Sequence, residues 1–462
     1  MEQTTAKKNK YEIDMCNGTI MDKLISFSLP LMLSGILQLM FNAVDIIVVG
    51  RFSGSQALAA VGSTSALINV FTNLFIGISL GANVLTARFY AAGREKEVSE
   101  TVHTAITLAL VSGIVMALVG LAFSKGALAL MGTPDDVIGL SALYMRIYFL
   151  GMPFFMLYNY GAAILRAVGD TKRPLLFLMI AGVINACLNM VLVIVFKLGV
   201  AGVAIATVIS QMISCVLVLR CLCRSESSYR LRFSELGMKG YYLKQIFSVG
   251  VPAGIQSTVI NFSNVLLQSS VNSFGSTAMA GYTAANNLLG FLYVSVNSIT
   301  QACMSFTSQN YGVGKLKRMD RVLADCMILS VVVAVVLGCI CYGVGPEILQ
   351  IYTEDAEVIA CGMEILAYTT ITYFLCGWMD LFPGALRGMG YSAAPMVLSV
   401  IGTVGTRVVW IFGIFPYHRS LAILFISYPA SWIITIVLQV ICFYFVRRRV
   451  HRRSQALAGQ EA

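Results

Sequence analysis

Apolar runs broken by short Gly-, Pro- or charge-bearing segments recur about twelve times along the chain. Each approaches the roughly 20 residues that carry an α-helix across a hydrocarbon core. The pattern predicts spans over 24–48, 57–87, 98–123, 135–165, 174–196 and 199–222. A second set follows over 245–272, 278–308, 320–344, 357–386, 395–415 and 420–446. Pro153 and Pro383 fall inside the fourth and tenth spans, where a missing N–H and a ring clash should kink the helix. Small residues are frequent within spans, as in Gly77 to Gly81 and GVAGVAIAT at 199–207. They suit close helix packing in lipid, where no hydrophobic drive between helices exists.

The two sets of six repeat each other. RAVGDTKRP at 166–174 returns 221 residues later as RGMGYSAAP at 387–395. The same offset pairs Ala57-Leu58-Ala59 with Ala278-Met279-Ala280 and Tyr90 with Tyr311. Nearer the start it slips by one residue, matching Pro30, Asn42 and Phe52 to Pro252, Asn264 and Phe274. An even number of spans returns the chain to its starting side. Both repeats therefore insert the same way up, related by an axis along the membrane normal. The expected organisation is an N-terminal segment 1–23, a first lobe 24–222, a linker 223–244, a second lobe 245–446 and a basic tail 447–462. The fold class is an all-α polytopic membrane protein of twelve transmembrane helices in two pseudo-symmetric six-helix bundles.

Composition agrees: 58% of residues are hydrophobic and 12% charged, against about 25% charged in soluble domains. The net charge of +10 would suit nucleic acid, but its placement points to topology. Of the 32 Lys and Arg, 26 fall in loops or at span ends on the side of the N-terminus. Only Arg51, Lys125, Lys197 and Arg419 fall on the other side, and Arg146 and Arg407 lie within spans. By the positive-inside rule both termini are cytoplasmic, in a cell (inner or plasma) membrane. The tail RRRVHRR at 447–453 should end the last span and touch anionic lipid. No cleavable leader is expected, because the stretch after residue 23 is too long for a signal core. The twelve cysteines lie mainly within spans or cytoplasmic loops, where packing in a reduced state is the default.

Polar groups facing lipid are expensive, so those within spans need partners or a wet cavity. Gln38, Asn42 and Asp45 are spaced i, i+4, i+7 on one helical face of span one. Asn185 and Asn189 lie one turn apart on span five. At 1.5 Å per residue Asp45 and Asn189 reach the same depth, and Thr207 approaches it. Asp45 is then either an ion-coupling carboxylate, taking up and releasing a proton or Na⁺, or one member of a static hydrogen-bond net. In the second half Asn261, Asn264 and Gln268 form a stripe on span seven, and Tyr293, Asn297 and Gln301 another on span eight. Asp380 on span ten and Arg407 on span eleven are its intramembrane charges, with Glu364 nearer an end. An Asp380–Arg407 pair would make both structural; otherwise Asp380 binds substrate or ion. Candidate substrate contacts are Asn42, Asn264, Gln268, Asn297 and Asp380. His103, His418 and His451 are scattered, and HExxH and Walker A motifs are absent from the sequence. This points away from an enzyme or a nucleotide-driven pump.

The segment PLMLSGILQLMFNAVDIIVVGRFSG (30–54), the turn LRAVGDTKRP (165–174), NACLN (185–189) followed by GVAGVAIAT, and ALRGMG (385–390) resemble the multidrug and toxic compound extrusion (MATE) transporters over residues 20–446. The resemblance implies two six-helix lobes and export of organic, often cationic, compounds in exchange for H⁺ or Na⁺. It implies a first-lobe coupling cluster at Gln38, Asp45, Asn185, Asn189 and Thr207, with Tyr144 a further member, and a possible Na⁺ site at Asp45 and Asn185. Members with the fullest such site carry Asp where this chain has Asn189, which leaves Asp45 as the cluster's acid. Span seven also lacks the acid of the NorM-like branch, and Asp380 does not align with that branch's acid on span ten.

The expected function is therefore secondary antiport by alternating access of the two lobes. The partners are a small organic substrate and the bilayer, with no nucleic acid and no cofactor beyond the coupling ion, and the protein is a monomer. The alternative is a flippase for a lipid-linked saccharide, which should line its cavity with several Arg or Lys to hold a diphosphate.

Overall fold

The computed structural model describes residues 10–458; residues 1–9 of the N-terminal segment and 459–462 of the basic tail lie outside the described residues. The described chain is helical, without a strand. In order the helices are α1 (Met21–Phe52), α2 (Ser55–Ala91), α3 (Glu95–Leu130), α4 (Asp135–Leu150), α5 (Met152–Ala167), α6 (Lys172–Asn189), α7 (Gly199–Cys223) and α8 (Gly240–Asn272). They continue with α9 (Ser276–Gly312), α10 (Leu316–Gly343), α11 (Gly345–Tyr352), α12 (Ala356–Thr369), α13 (Tyr373–Gly388), α14 (Ala393–Ser399), α15 (Thr406–Val409) and α16 (Leu421–Ala458).

Among the described residues eight helical stretches are long and apolar enough to cross a membrane, or ten if the bent pairs α4–α5 and α12–α13 each count as one span. The remaining two long helices, α8 with 33 residues and α9 with 37, match predicted spans seven and eight. Their polar stripes lower their hydropathy, while their length still exceeds what a bilayer needs.

Contacts divide the chain into two compact units. The first holds the described residues up to Ile13 and Ile36–Gly254; the second holds Asp14–Gly35 and the described residues from Ile255 on. In the first unit α3 packs along α4 and α5, and α6 along α7. In the second unit α9 packs along α10, α12 and α13. Large side chains such as Tyr160 and Phe149 in the first unit, and Tyr282 and Phe425 in the second, are fully or almost fully buried.

The duplication shows in the backbone. Left-handed glycines recur at the 221-residue offset: Gly54 with Gly275, Gly93 with Gly314, and Gly169 with Gly390. Gly169, at φ 97°, also lies against Ile13, where a Cβ would come within 2.6 Å of that residue's backbone. A side chain there would be strained by conformation and by space. The neighbouring Glu12 carboxylate accepts hydrogen bonds from the Tyr90 and Tyr229 hydroxyls, both at 2.7 Å. In the second unit the Met15 carbonyl accepts from Asn310 Nδ2 at 3.1 Å and Arg318 Nε at 3.2 Å.

The kinks depart in part from expectation. Span four bends by 48° between α4 and α5, at Gly151, with Pro153 near the start of α5. Span ten bends by 51° between α12 and α13, well before Pro383, which sits inside α13. The hydroxyls of Thr369, Thr370 and Thr372 each bond a carbonyl one turn back, at 2.7, 2.5 and 2.8 Å. Such back-bonding competes with the helical ladder and bends it. The helix of the last predicted span runs on past residue 446, and α16 ends at Ala458. Arg447 on that extension grips Asp320 with two hydrogen bonds of 2.7 and 2.6 Å.

Within the first unit α2 crosses the start of α8 backbone to backbone. A Cβ on Gly77 would strike Gly254, and one on Gly254 would come within 2.5 Å of the Leu74 carbonyl oxygen. Gly77→Val is therefore expected to cost ~1–3 kcal/mol through overpacking. It should show as a lower melting temperature and a smaller monodisperse fraction in detergent. Gly62→Val, where no atom lies within 4 Å of the new Cβ, is the control and should leave both readings unchanged.

Candidate functional site

The first unit's polar stripe meets its partner on α6. Asp45 is half-buried on α1, while Asn185 and Asn189 are buried. Asn189 Nδ2 donates to the Asp45 carboxylate and also to Asn185 Oδ1, the latter at 3.1 Å. Both amide hydrogens of Asn189 are thus committed, while its Oδ1 is buried without a hydrogen-bond partner. The resulting cluster is one carboxylate and two carboxamides, with no Lys or Arg among the described residues bonded to the acid. A lone acid with neutral partners is unusual within a membrane-spanning segment.

Local sequence explains why α1 comes so close to α6. Gly182 lies one turn before Asn185, and Phe41 one turn before Asp45. A Cβ on Gly182 would overlap the Phe41 ring. The glycine leaves room for the ring, and the ring's approach brings the next turn of α1 to Asn189. Just after Asn189 the helix loosens into a π-helical stretch, Met190–Val195, a rare geometry that is frequent at functional sites. Gly182→Val should displace Phe41 and part Asp45 from Asn189. Efflux is then expected to fall about tenfold with insertion unchanged; wild-type efflux would contradict this role.

The other first-lobe candidates are placed differently. Tyr144 is buried and stacks on Tyr148 at 6.1 Å between centroids, and both rings lie within electrostatic reach of Asp45. Thr207 is half-buried, and its hydroxyl bonds the Val203 carbonyl of its own helix at 2.9 Å. Gln38 and Asn42 are exposed on α1. Arg146, for which the sequence offers no partner, is exposed on α4.

In the second unit the candidate residues fall into separate groups. Gln268 Nε2 donates to Asn272 Oδ1 at 2.9 Å, and Gln301 Nε2 to Asn297 Oδ1 at 3.1 Å. Asn264 accepts from Arg407 Nη1 at 2.7 Å. Arg407 also bonds Ser263 Oγ at 2.8 Å, so the Asp380–Arg407 pair that the sequence left open does not form. The cation whose field reaches Asp380 is instead Arg387, seven residues along α13, and its Nη2 donates to Gln256 Oε1 at 2.6 Å. Sequence reading passes over Arg387, using it only as a landmark of the repeat. The i, i+7 spacing from Asp380 on one helix face is the signal that could have found it.

A cavity of about 410 Å³ opens elsewhere in the first unit, at the start of α3, lined by His103, Lys96 and Glu100 with Glu235 and Lys239 of the linker. Nothing of the Asp45 cluster lines it.

Comparison with known proteins adds a lineage to this geometry. The family model described as MatE matches residues 30–191 and again 252–412, once in each repeat. The chain is 32% identical over 434 residues to a probable multidrug resistance protein, YoeA, of Bacillus subtilis (strain 168), covering 92% of this chain and 93% of that protein. It is 22% identical to the multidrug export protein MepA of Staphylococcus aureus (strain NCTC 8325 / PS 47), covering 82% and 84%. Its fold matches an outward-facing multidrug resistance MATE family transporter of the MOP superfamily with a TM-score of 0.87 at 19% identity, over 97% of this chain and all of that one.

Proposed function

The chain belongs to the MATE family of multidrug efflux transporters, and from that premise we propose that it is an ion-coupled antiporter whose coupling acid is Asp45. One observation carries this reading: the Asp45 carboxylate is held in the first unit by Asn189, an amide whose own oxygen is buried and unbonded. The ionised acid accepts from Asn189 Nδ2. A protonated acid needs an acceptor, and Asn189 turned end for end offers its carbonyl oxygen. A Na⁺ ion would use the same oxygen atoms, those of Asp45, Asn185 and Asn189, since oxygen donors suit a hard cation. Either ion neutralises the acid and removes the charge that attracts a cationic substrate. Ion and substrate thus compete for Asp45, and the two loaded forms favour opposite faces of the membrane.

In this reading the transported compounds are organic, cationic and largely apolar. The protein resides in the plasma membrane as a monomer with both termini in the cytoplasm, where 26 of its 32 Lys and Arg would lie.

The test is efflux of a fluorescent organic cation from proteoliposomes under a pH gradient and, separately, a Na⁺ gradient. Efflux under one gradient identifies the coupling ion. Equal rates with and without both gradients would contradict antiport. The flippase alternative would then require movement of a lipid-linked diphosphate.

A further inference from the structure

Arg407 brings a full positive charge into the second unit and receives neutral partners there. Its side chain is 3% exposed. Nη1 donates to Ser263 Oγ at 2.8 Å and to Asn264 Oδ1 at 2.7 Å, and the guanidinium lies over the Tyr428 ring at 4.7 Å. The Tyr428 hydroxyl is in turn 2.9 Å from that of Tyr282. Nε is buried with no hydrogen-bond partner among the described residues. None of the described contacts of Arg407 is a carboxylate, and the acid nearest in kind, Asp380, is under the influence of Arg387.

Hydrogen bonds to neutral oxygens and a ring face orient a guanidinium without neutralising it. A cation–π contact offsets only part of what an uncompensated charge costs in a low-dielectric interior. What the site lacks is an anion. Arginine is the side chain best suited to receive one, because its planar fork matches a carboxylate edge to edge.

The backbone gives a second and independent sign. Arg407 sits in a four-residue α-helical turn, Thr406–Val409, between two π-helical stretches, Val400–Gly405 and Trp410–Ile414. The first unit places its π-helical stretch directly after Asn189. In each unit the same irregular geometry therefore adjoins a buried polar group left with an open hydrogen-bonding position. Around Arg407 the walls are aromatic: Tyr282 stacks on Phe425 at 6.3 Å, and Tyr428 meets Trp432 at 5.8 Å. Asn264 and Tyr428 are only half-buried, so the group borders accessible surface.

We infer that Arg407 forms an anion subsite in the second unit that takes the carboxylate of an aromatic, amphipathic substrate. Nε is the free donor, while Ser263, Asn264 and Tyr428 hold the fork in place. This rests on the transport reading for the word substrate, and extends the class of compounds from cations to those that also carry a carboxylate.

The experiment is equilibrium binding to the purified full-length chain in detergent, followed by fluorescence polarisation. The probes are a carboxylate-bearing rhodamine and its methyl ester, which share the same rings. Wild type is expected to bind the acid at least about tenfold more tightly than the ester, the scale of one charge-assisted pair. Arg407→Gln should erase that preference while changing ester binding less than about twofold, and Arg407→Lys should retain part of it. Benzoate should displace the acid from wild type and leave the ester bound, a reading that holds even where Arg407→Gln fails to fold. Equal or tighter binding of the ester, no binding of either probe, a preference that survives Arg407→Gln, or no displacement by benzoate would overturn the inference. Because binding needs no gradient, failure of gradient-driven efflux would strike the antiport reading and leave this result standing.

Discussion

Replacing Asp45 with asparagine is expected to reduce gradient-driven efflux by on the order of 100-fold, the upper range of coupling between two linked sites, while leaving expression and insertion intact. The substitution keeps the shape of the side chain and its capacity to accept from Asn189, whose Nδ2 now bonds the carboxylate. It removes the one property an amide cannot supply, a charge that an ion can cancel. Asp45→Glu keeps the charge but lengthens the reach, and should retain a measurable fraction of transport. Parallel vesicle assays with matched protein content check both. Wild-type efflux in Asp45→Asn would show that the acid is part of a static network.

Asn189→Leu should have the second-largest effect. Leucine has a similar branched outline, so packing against α7 should survive, but both of the amide's bonds, to Asp45 and to Asn185, disappear. Deleting a buried donor from an ionised acid is costly, at roughly 1–3 kcal/mol. The expected result is a fall in efflux of about 10- to 100-fold. Asn185→Ala, which removes only the outer acceptor, should cost less. The comparison separates bonding to the acid from general polarity: equal losses in the two variants would contradict that ranking.

Much of the architecture was readable because a membrane imposes it. Lipid offers no partners for backbone groups, so spans must be long, apolar and helical, and that requirement is written into ten of the twelve predicted runs. The other two, α8 and α9, carry Gln256, Asn264, Asn297 and Gln301, which lower their hydropathy, although the apolar runs at 245–272 and 278–308 still mark both. Depth arithmetic was enough to anticipate that α1 and α6 could meet near Asp45 and Asn189, since it depends only on helical rise. The loosened turn after Asn189 was not legible, because the residues MVLVIV at 190–195 suit an ordinary helix equally well. Pro383 is the stronger local signal for a kink in span ten, whereas the bend falls earlier in the chain, where three threonine hydroxyls bond carbonyls one turn back. By span alone an Asp380–Arg407 pair stood open beside a binding role for Asp380, yet partners between helices depend on how each helix is turned, and the cation whose field reaches Asp380 is Arg387, on its own helix.

The central claim is that substrate and coupling ion compete for the same carboxylate, and ion release on substrate binding tests it most directly. Purified protein is loaded with protons or Na⁺, titrated with the organic cation, and the ion set free is counted by calorimetry in buffers of different ionisation enthalpy or by a Na⁺ electrode. Wild type is expected to release about one ion per substrate bound, as linkage between two exclusive ligands requires, and Asp45→Asn none. Equal release from both proteins, or binding indifferent to both ions, would contradict it.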